Sequence, residues 1–341
     1  MKQILGWMAP VGALLLALLI CGMAWRSGET APEHVPGGSP EVSVPEMEET
    51  SAEEPKERKI QSFVVHQYTP PQEPTGDAAT QVTVTVDGTP ETMDLQTYLV
   101  GVLMGEMPAS YPLEALKAQA VAARTYTMRR IQGGGVLSDD PSVCQAYVSA
   151  DQAKQRYGDQ ANTALETYRQ AVAETDGKVL RYQGELIAAT YFSCSGGRTE
   201  SAQAVWGGEI PYLISVDSPG EEDAGSYSST VTLTPAEVME RLEVPDLGVS
   251  DTQYTEGGGV DTMTIGGKTF SGTELRSLLG LRSTKFTMEV TAEAVNFSVT
   301  GYGHRVGMSQ NGARVMAEDG KGYEEILKWY YTGVEICDAE T

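Results

Sequence analysis

A single acidic side chain interrupts an apolar helical stripe in the first third of the folded region. Asp94 is a suitable N-cap, and Leu95, Leu99 and Val102 then fall on one face of a predicted helix. The next position on that stripe is Glu106. A carboxyl group on a buried face loses hydration, which raises its pKa and makes it a proton donor near neutral pH. The pattern therefore predicts Glu106 as a general acid.

A second interpretation of Glu106 remains open at this stage. Pro108 follows closely, so Glu106 could lie at a frayed helix end and face water. A second helix is predicted beyond this corner, capped by Ser110 and entered at Pro112. Lys117 and Arg124 share one face of it. They form either a cationic wall beside Glu106 or an ordinary solvated helix surface.

Three ordered sequence blocks resemble those of the stage II sporulation protein D family, which shares its domain with amidase-enhancer proteins. The blocks are Gly105-Glu106-Met107-Pro108 with Ala115 to Tyr126; Ser193-Cys194-Ser195-Gly196-Gly197 with Glu200 and Ala204 to Gly207; and Gly303 to Ala313. The resemblance covers roughly residues 80–337. One position departs from the family pattern, which usually has Gly where this chain has Arg305.

The resemblance implies a lytic transglycosylase that cleaves peptide-denuded peptidoglycan glycan strands of the cell wall during engulfment in sporulation. It implies Glu106 as the catalytic residue and no cofactor. The substrate-binding residues that it implies are Lys117, Arg124, Tyr126, Ser193, Ser195, Gly197, His304, Ser309 and Gln310. The implied partners are glycan strands, an amidase, and membrane proteins of an engulfment complex.

Two other functions stay open. The enhancer branch of the family suggests a non-catalytic glycan-binding protein that stimulates a peptidoglycan amidase. A third hypothesis makes Cys194 a thiol nucleophile activated by His304, since glycines flank both residues. From the residues alone, His304 is as well explained by a structural role, the Ser193–Gly197 segment by an ordinary turn, and Trp206 by core filling rather than sugar stacking.

Charge and hydropathy divide the 341-residue chain into three predicted parts. The formal net charge of −23 argues against a nucleic-acid partner, since phosphate binding needs a basic face. Residues 4–25 are uncharged and apolar, long enough for one helix across a bilayer core of about 30 Å. We therefore predict a single-pass anchor within residues 1–26, a flexible Pro/Glu-rich tether over 27–79, and an extracytoplasmic domain over 80–337 at the cell membrane.

The domain itself is predicted to be α+β, with helices and short antiparallel strands forming a groove. A period-two strand at Val82–Val86 precedes the Glu106 helices, and a hairpin is predicted around Gly184. Residues 228–292 read as a small β-rich insert that includes a helix after Thr234-Pro235 and another over Ser271–Leu279.

Three cysteines follow the apolar run, which admits one disulfide and one free thiol in an exported protein. Cys144 and Cys194 are the predicted pair because both flank the proposed site blocks, which leaves Cys337. Some sporulation D relatives hold zinc near the Cys-Gln-x-Tyr segment. This chain has no second Cys or His just before Cys144, so no metal is predicted.

Overall fold

A computed structural model of the protein describes residues 75–339. The predicted membrane anchor, and all but the end of the predicted tether, lie outside the described residues. Within the described range, no helix combines the length and the apolarity needed to cross a membrane.

The helices of residues 75–339 begin at predictable signals, most often a Ser, Thr or Asp side chain that accepts a backbone N–H. They are α1 (Leu95–Glu106), α2 (Leu113–Gln132), α3 (Ala150–Tyr157), α4 (Ala161–Ala173), α5 (Ala202–Trp206), α6 (Pro235–Leu242), α7 (Gly272–Leu279), α8 (Gln310–Glu318) and α9 (Tyr323–Tyr330). Asp94 caps α1 through Thr97 N at 2.7 Å, as predicted. Pro112, not Ser110, occupies the N-cap of α2, so that detail of the prediction is wrong.

Short strands alternate with these helices. They are β1 (Gln81–Val86), β2 (Thr89–Asp94), β3 (Leu137–Ser138), β4 (Lys178–Tyr182), β5 (Glu185–Leu186), β6 (Tyr191–Phe192), β7 (Gly197–Arg198), β8 (Asp217–Ser218), β9 (Ser228–Leu233), β10 (Val249–Tyr254), β11 (Val260–Ile265), β12 (Lys268–Ser271), β13 (Phe286–Val290), β14 (Val295–Thr300), β15 (Met308–Ser309) and β16 (Glu335–Asp338). The α+β class is confirmed for the described part of the chain. Most strand pairs are antiparallel, but β1 with β3 and β6 with β15 run parallel.

The parallel pair β6–β15 brings two distant sequence blocks together. Tyr191 lies opposite Met308, and Phe192 opposite Ser309. The Ser193–Gly197 loop therefore leaves one strand directly beside the start of α8. Without this non-local pairing, the second and third blocks of the sequence would not share a site.

The β-rich insert has its own apolar core. Val238 and Leu242 of α6, Phe270 and Leu275 pack with Phe297 of β14, and all five are nearly inaccessible to solvent. Strand β14 is the centre of a sheet in the order β13-β14-β9. The sheet of the insert therefore extends beyond the predicted limit at residue 292, to residue 300.

Arg124 is buried in the core at the centre of α2, where it is 0% exposed. Its guanidinium group donates to both carboxylate oxygens of Asp77, with Nε at 2.9 and 2.8 Å, and to the carbonyls of Val172 and Lys178. The prediction that Arg124 contacts substrate is therefore wrong, because every direction in which the side chain could act is occupied by protein. Arg124 instead ties α2 to the first described turn of the chain and to β4.

Removing the carboxylate of this ion pair should strongly destabilise the fold. We expect Asp77→Asn to lower the free energy of unfolding by about 3–5 kcal/mol, because it leaves the Arg124 charge buried and uncompensated. Glu166→Gln breaks the exposed pair with Arg169 and should change it by less than about 0.5 kcal/mol. Urea denaturation of the two variants measures both values, and equal small losses would refute the structural role of Asp77.

Candidate active site

A cavity of about 220 Å³ opens at the carboxyl end of α1, where the predicted site blocks converge. Residues from four segments line it: Glu106; Tyr126; Pro141, Ser142, Val143, Cys144 and Gln145; and Thr190, Tyr191, Trp206 and His304. Glu106 is the sole carboxyl group among these lining residues. The cavity therefore brings Glu106, Tyr126 and His304 together.

The Glu106 carboxyl group is held by donors from two distant segments. Oε1 accepts from Ala146 N at 2.8 Å, and Oε2 accepts from Gln310 Nε2 at 3.2 Å. Burial raises the pKa of Glu106, and the two hydrogen bonds oppose that rise only in part. Glu106 is the last residue of α1 and is half-buried, so these two donors hold its carboxyl group in place of the frayed arrangement.

Two glycines of α1 allow the Ala146 loop to reach Glu106. A Cβ on Gly101 would lie 2.3 Å from the Tyr147 ring, and one on Gly105 would lie 2.8 Å from the Ala146 backbone. Val148 N also donates to Gly101 O at 3.0 Å, so the loop crosses the helix in direct backbone contact. The absence of side chains at these two positions therefore determines where Ala146 meets the carboxyl group.

Gln145 organises the polar wall of the cavity, which sequence reasoning did not identify. Its Oε1 accepts from the Tyr191 hydroxyl at 2.7 Å, and its Nε2 donates to Thr127 at 2.9 Å and to the Tyr98 hydroxyl at 3.5 Å. The Cys-Gln-x-Tyr segment was visible in the sequence, but its contact with Tyr191 spans 46 residues. No local pattern predicts such a pair.

His304 lies in the cavity wall as a neutral ring. Its Nδ1 accepts from Val306 N at 3.1 Å, and the ring is bonded to the backbone of Tyr191. Burial lowers the pKa of His304 to about 3, and the nearby charge of Arg276 adds to this effect. The ring packs against Trp206, with centroids 5.5 Å apart. His304 therefore offers a surface and a fixed dipole, not a proton donor at neutral pH.

The other predicted substrate-binding residues occupy varied positions. Tyr126 lines the cavity, and burial raises its pKa to about 12. Gln310 contacts Glu106, whereas its neighbour Ser309 is fully buried and caps α8 through Gly312 N at 3.2 Å. Lys117 is ion-paired at 2.7 Å with Glu114 and does not line the cavity. The burial of Ser309 leaves it out of reach of substrate, whereas contact of Lys117 with substrate stays a prediction.

The Ser193–Gly197 loop is built into the fold rather than into the cavity wall. Ser195 is fully buried, and its Oγ donates to Glu221 Oε1 at 2.7 Å, so its predicted place in the cleft is wrong. The Ser193 carbonyl accepts from both nitrogens of Asn311. Gly197 N donates to Ser195 Oγ at 3.0 Å. None of the three predicted residues lines the cavity.

The three described cysteines are free thiols, so the predicted Cys144–Cys194 disulfide is not formed. The two side chains have different neighbours: Cys144 Sγ lies 3.9 Å from the Tyr98 hydroxyl, whereas Cys194 lies beside Glu221. Burial, with the Glu221 charge, raises the pKa of Cys194 to about 12. A thiol held protonated in this way is a poor nucleophile, which argues against the Cys194 hypothesis. Within residues 75–339, no three His, Cys, Asp or Glu side chains converge as a metal site.

A methyl group on Gly105 should disturb this geometry. Alanine favours a helix by about 1 kcal/mol over glycine, but the clash with the Ala146 backbone is overpacking worth about 1–3 kcal/mol. We therefore expect Gly105→Ala to lower the free energy of unfolding. Gly208→Ala is the matched control, since a Cβ there has no heavy atom within 4 Å. Equal stability of the two variants in urea denaturation would show that the loop does not depend on Gly105.

The raised pKa of Glu106 predicts a pH-dependent stability difference. Above the ordinary value of 4.5, the folded state retains a proton that the unfolded state has lost, so wild-type stability falls as pH rises toward the folded pKa. Glu106→Gln removes that fall. Its stability relative to wild type should rise from pH 4 to pH 7, by about 1.4 kcal/mol for each unit of pKa elevation. Denaturation curves across this range test the sign, and a constant difference would mean that Glu106 titrates normally.

Comparison with known proteins agrees with the sequence blocks. The family model for stage II sporulation protein matches residues 87–182. The chain is 41% identical over 261 residues to stage II sporulation protein D of Bacillus subtilis (strain 168), covering 73% of this chain and 76% of that protein. It is 40% identical over 262 residues to the protein of the same name from Bacillus amyloliquefaciens, with 74% and 76% coverage. An amidase enhancer of Bacillus subtilis (strain 168) is 33% identical over 298 residues, covering 70% of this chain and 40% of that protein. The chain belongs to the stage II sporulation protein D family.

Proposed function

We propose that this protein is a lytic transglycosylase that cleaves the bond between N-acetylmuramic acid and N-acetylglucosamine in peptide-denuded glycan strands. One observation carries the proposal: a single carboxyl group, with its pKa raised by burial, lies in the wall of the cavity. Most glycosidases need a second carboxylate as nucleophile or base. A reaction that uses the substrate's own hydroxyl group as nucleophile needs only one.

The proposed reaction uses Glu106 twice. Protonated Glu106 donates its proton to the glycosidic oxygen, and the bond from that oxygen to C1 of the muramic acid breaks. The Glu106 carboxylate then accepts the proton of the C6 hydroxyl as that oxygen bonds to C1 and closes a 1,6-anhydro ring. Between the two steps, Ala146 N–H and the Gln310 amide stabilise the carboxylate charge. Glu106 ends the cycle protonated.

The remaining walls support sugar binding. Trp206 and His304 pack together at the cavity, and aromatic faces suit the apolar side of a pyranose ring. Opposite them, Tyr126 and Tyr191 carry hydroxyl groups that stay protonated because burial raises their pKa values. Neutral donors of this kind bind sugar hydroxyl groups without removing the proton from Glu106.

A second candidate is a non-catalytic module that binds glycan strands and stimulates an amidase. The 33% identity to an amidase enhancer favours it.

Under either function, we propose that residues 4–25 anchor the chain in the cell membrane with the folded part outside. An amidase partner in sporulation would then supply strands free of stem peptides, and other membrane proteins of an engulfment complex would hold the two together.

The first experiment separates the two candidates. Denuded glycan strands are incubated with the protein, and products are identified by mass spectrometry. Wild type should release 1,6-anhydromuramic products, and Glu106→Gln should reduce their rate at least about 100-fold, the usual contribution of a positioned acid–base group. Glu166→Gln, an exposed carboxylate on α4, is the control and should be unaffected.

Other products would decide against the mechanism. Reducing ends without the anhydro ring would indicate a hydrolase. Retained cleavage by Glu106→Gln would remove the assignment of the acid. Binding without cleavage by wild type, together with stimulation of an added amidase, would favour the enhancer function.

A further inference from the structure

Most cations around the site loops are already neutralised by carboxylates of the same chain. Arg198 pairs with Asp217 and Glu256, Arg305 with Glu200, and Arg314 with Asp223 and Glu318. Lys285 donates to the Gly196 carbonyl at 2.7 Å. This pattern is expected in a chain with a formal net charge of −23.

Arg282 of the insert is not neutralised in this way. Its side chain is exposed, and no carboxylate of residues 75–339 lies within ion-pairing distance of it. Its guanidinium carbon lies 5.1 Å from the centroid of the Tyr302 ring. A cation over an aromatic face is held in place without being neutralised. Arg282 thus presents an uncompensated, pre-positioned guanidinium group.

The backbone places Arg282 beside the cavity wall. Its carbonyl accepts from Gly303 N at 2.9 Å, and the next residue along the chain is His304, which lines the cavity. The insert therefore places Arg282 directly beside the backbone segment that carries His304.

Removal of stem peptides changes the charge of a glycan strand. Hydrolysis of the amide between the lactyl group of muramic acid and the peptide leaves a free lactyl carboxylate on every muramic acid residue. We propose that Arg282 binds this lactyl carboxylate and so selects denuded strands. The inference rests on the proposed glycan substrate and adds a residue that binds its carboxylates.

Guanidinium groups suit this role for two reasons. The planar fork of an arginine matches the two oxygens of a carboxylate, and a charge-assisted pair is stronger than a neutral hydrogen bond. A strand that still carries its peptide has a neutral amide in the same position, which leaves the guanidinium group unmatched. The contact would therefore discriminate by charge as well as by size.

Binding is measured separately from cleavage, using the full-length chain with Glu106→Gln to prevent turnover. One probe is a denuded glycan fragment, and the other is the same fragment with each lactyl carboxylate converted to its neutral N-methylamide. The parent protein should bind the free acid more tightly than the amide. Arg282→Gln should weaken binding of the acid about tenfold, the value of one charge-assisted contact, and leave the amide unchanged.

Two controls make the result specific. Arg169→Gln removes an exposed arginine of α4 and should change neither affinity. Arg282→Lys keeps the charge but not the fork, so its affinity for the acid should lie between those of the parent and Arg282→Gln. Equal binding of acid and amide by the parent, equal weakening of both by Arg282→Gln, or binding of neither probe would overturn the inference. A retained preference for the acid, in a protein whose wild type cleaves no strands, would uphold this subsite while refuting the transglycosylase proposal.

Discussion

The burial of one ionisable carboxyl group at the end of α1 is the constraint on which the site depends. Burial of a carboxylate costs free energy unless hydrogen-bond donors contact it. Neither donor to Glu106 belongs to α1. The donors to Glu106 come from Ala146 and Gln310, 40 and 204 residues further along the chain. One arrives because Gly101 and Gly105 let a loop lie on the helix backbone. The other arrives because β15 pairs with β6 and starts α8 beside the cavity. The surroundings of the Glu106 carboxyl group therefore depend on segments that are far apart in the sequence.

Two buried arginines, Arg124 and Arg305, join segments that are distant in the sequence. Arg124 joins α2 to Asp77 and to backbone carbonyls. Arg305 adopts a left-handed backbone conformation with φ of +66°, at the position where the family resemblance has glycine. Such a conformation costs a non-glycine residue about 1–3 kcal/mol. Its guanidinium group offsets this by bonding Glu200 and three carbonyls, among them Ser195 in the site loop and Gly257 in the insert. Arg305 thus joins the insert to the Ser193–Gly197 loop.

Local patterns predicted the elements well and their contacts poorly. Apolar periodicity and caps located α1, α6 and α7, because these signals act within a few residues. Periodicity also showed that Lys117 and Arg124 share a face of α2, but it could not show which way that face points; the structure directs it toward carboxylates, not substrate. Ser195 and Ser309 are fully buried, where Ser195 bonds Glu221 and Ser309 caps α8. A hydroxyl group that caps a helix or satisfies a buried carboxylate looks the same in sequence as one that binds sugar.

The ion pairs of Arg124 and Lys117 also bear on the pKa of Glu106. A free cationic wall beside it would lower its pKa and leave it ionised at neutral pH, unable to donate a proton. Arg124 is neutralised by Asp77 in the core, and Lys117 by Glu114 and Glu174, so neither opposes the effect of burial on Glu106. The donors that do touch the carboxyl group, an amide side chain and a backbone N–H, carry no net charge. Such donors stabilise the carboxylate once it has lost its proton, but they do not force the carboxyl group to be ionised beforehand. Burial and these two neutral donors therefore determine the protonation state of the Glu106 carboxyl group.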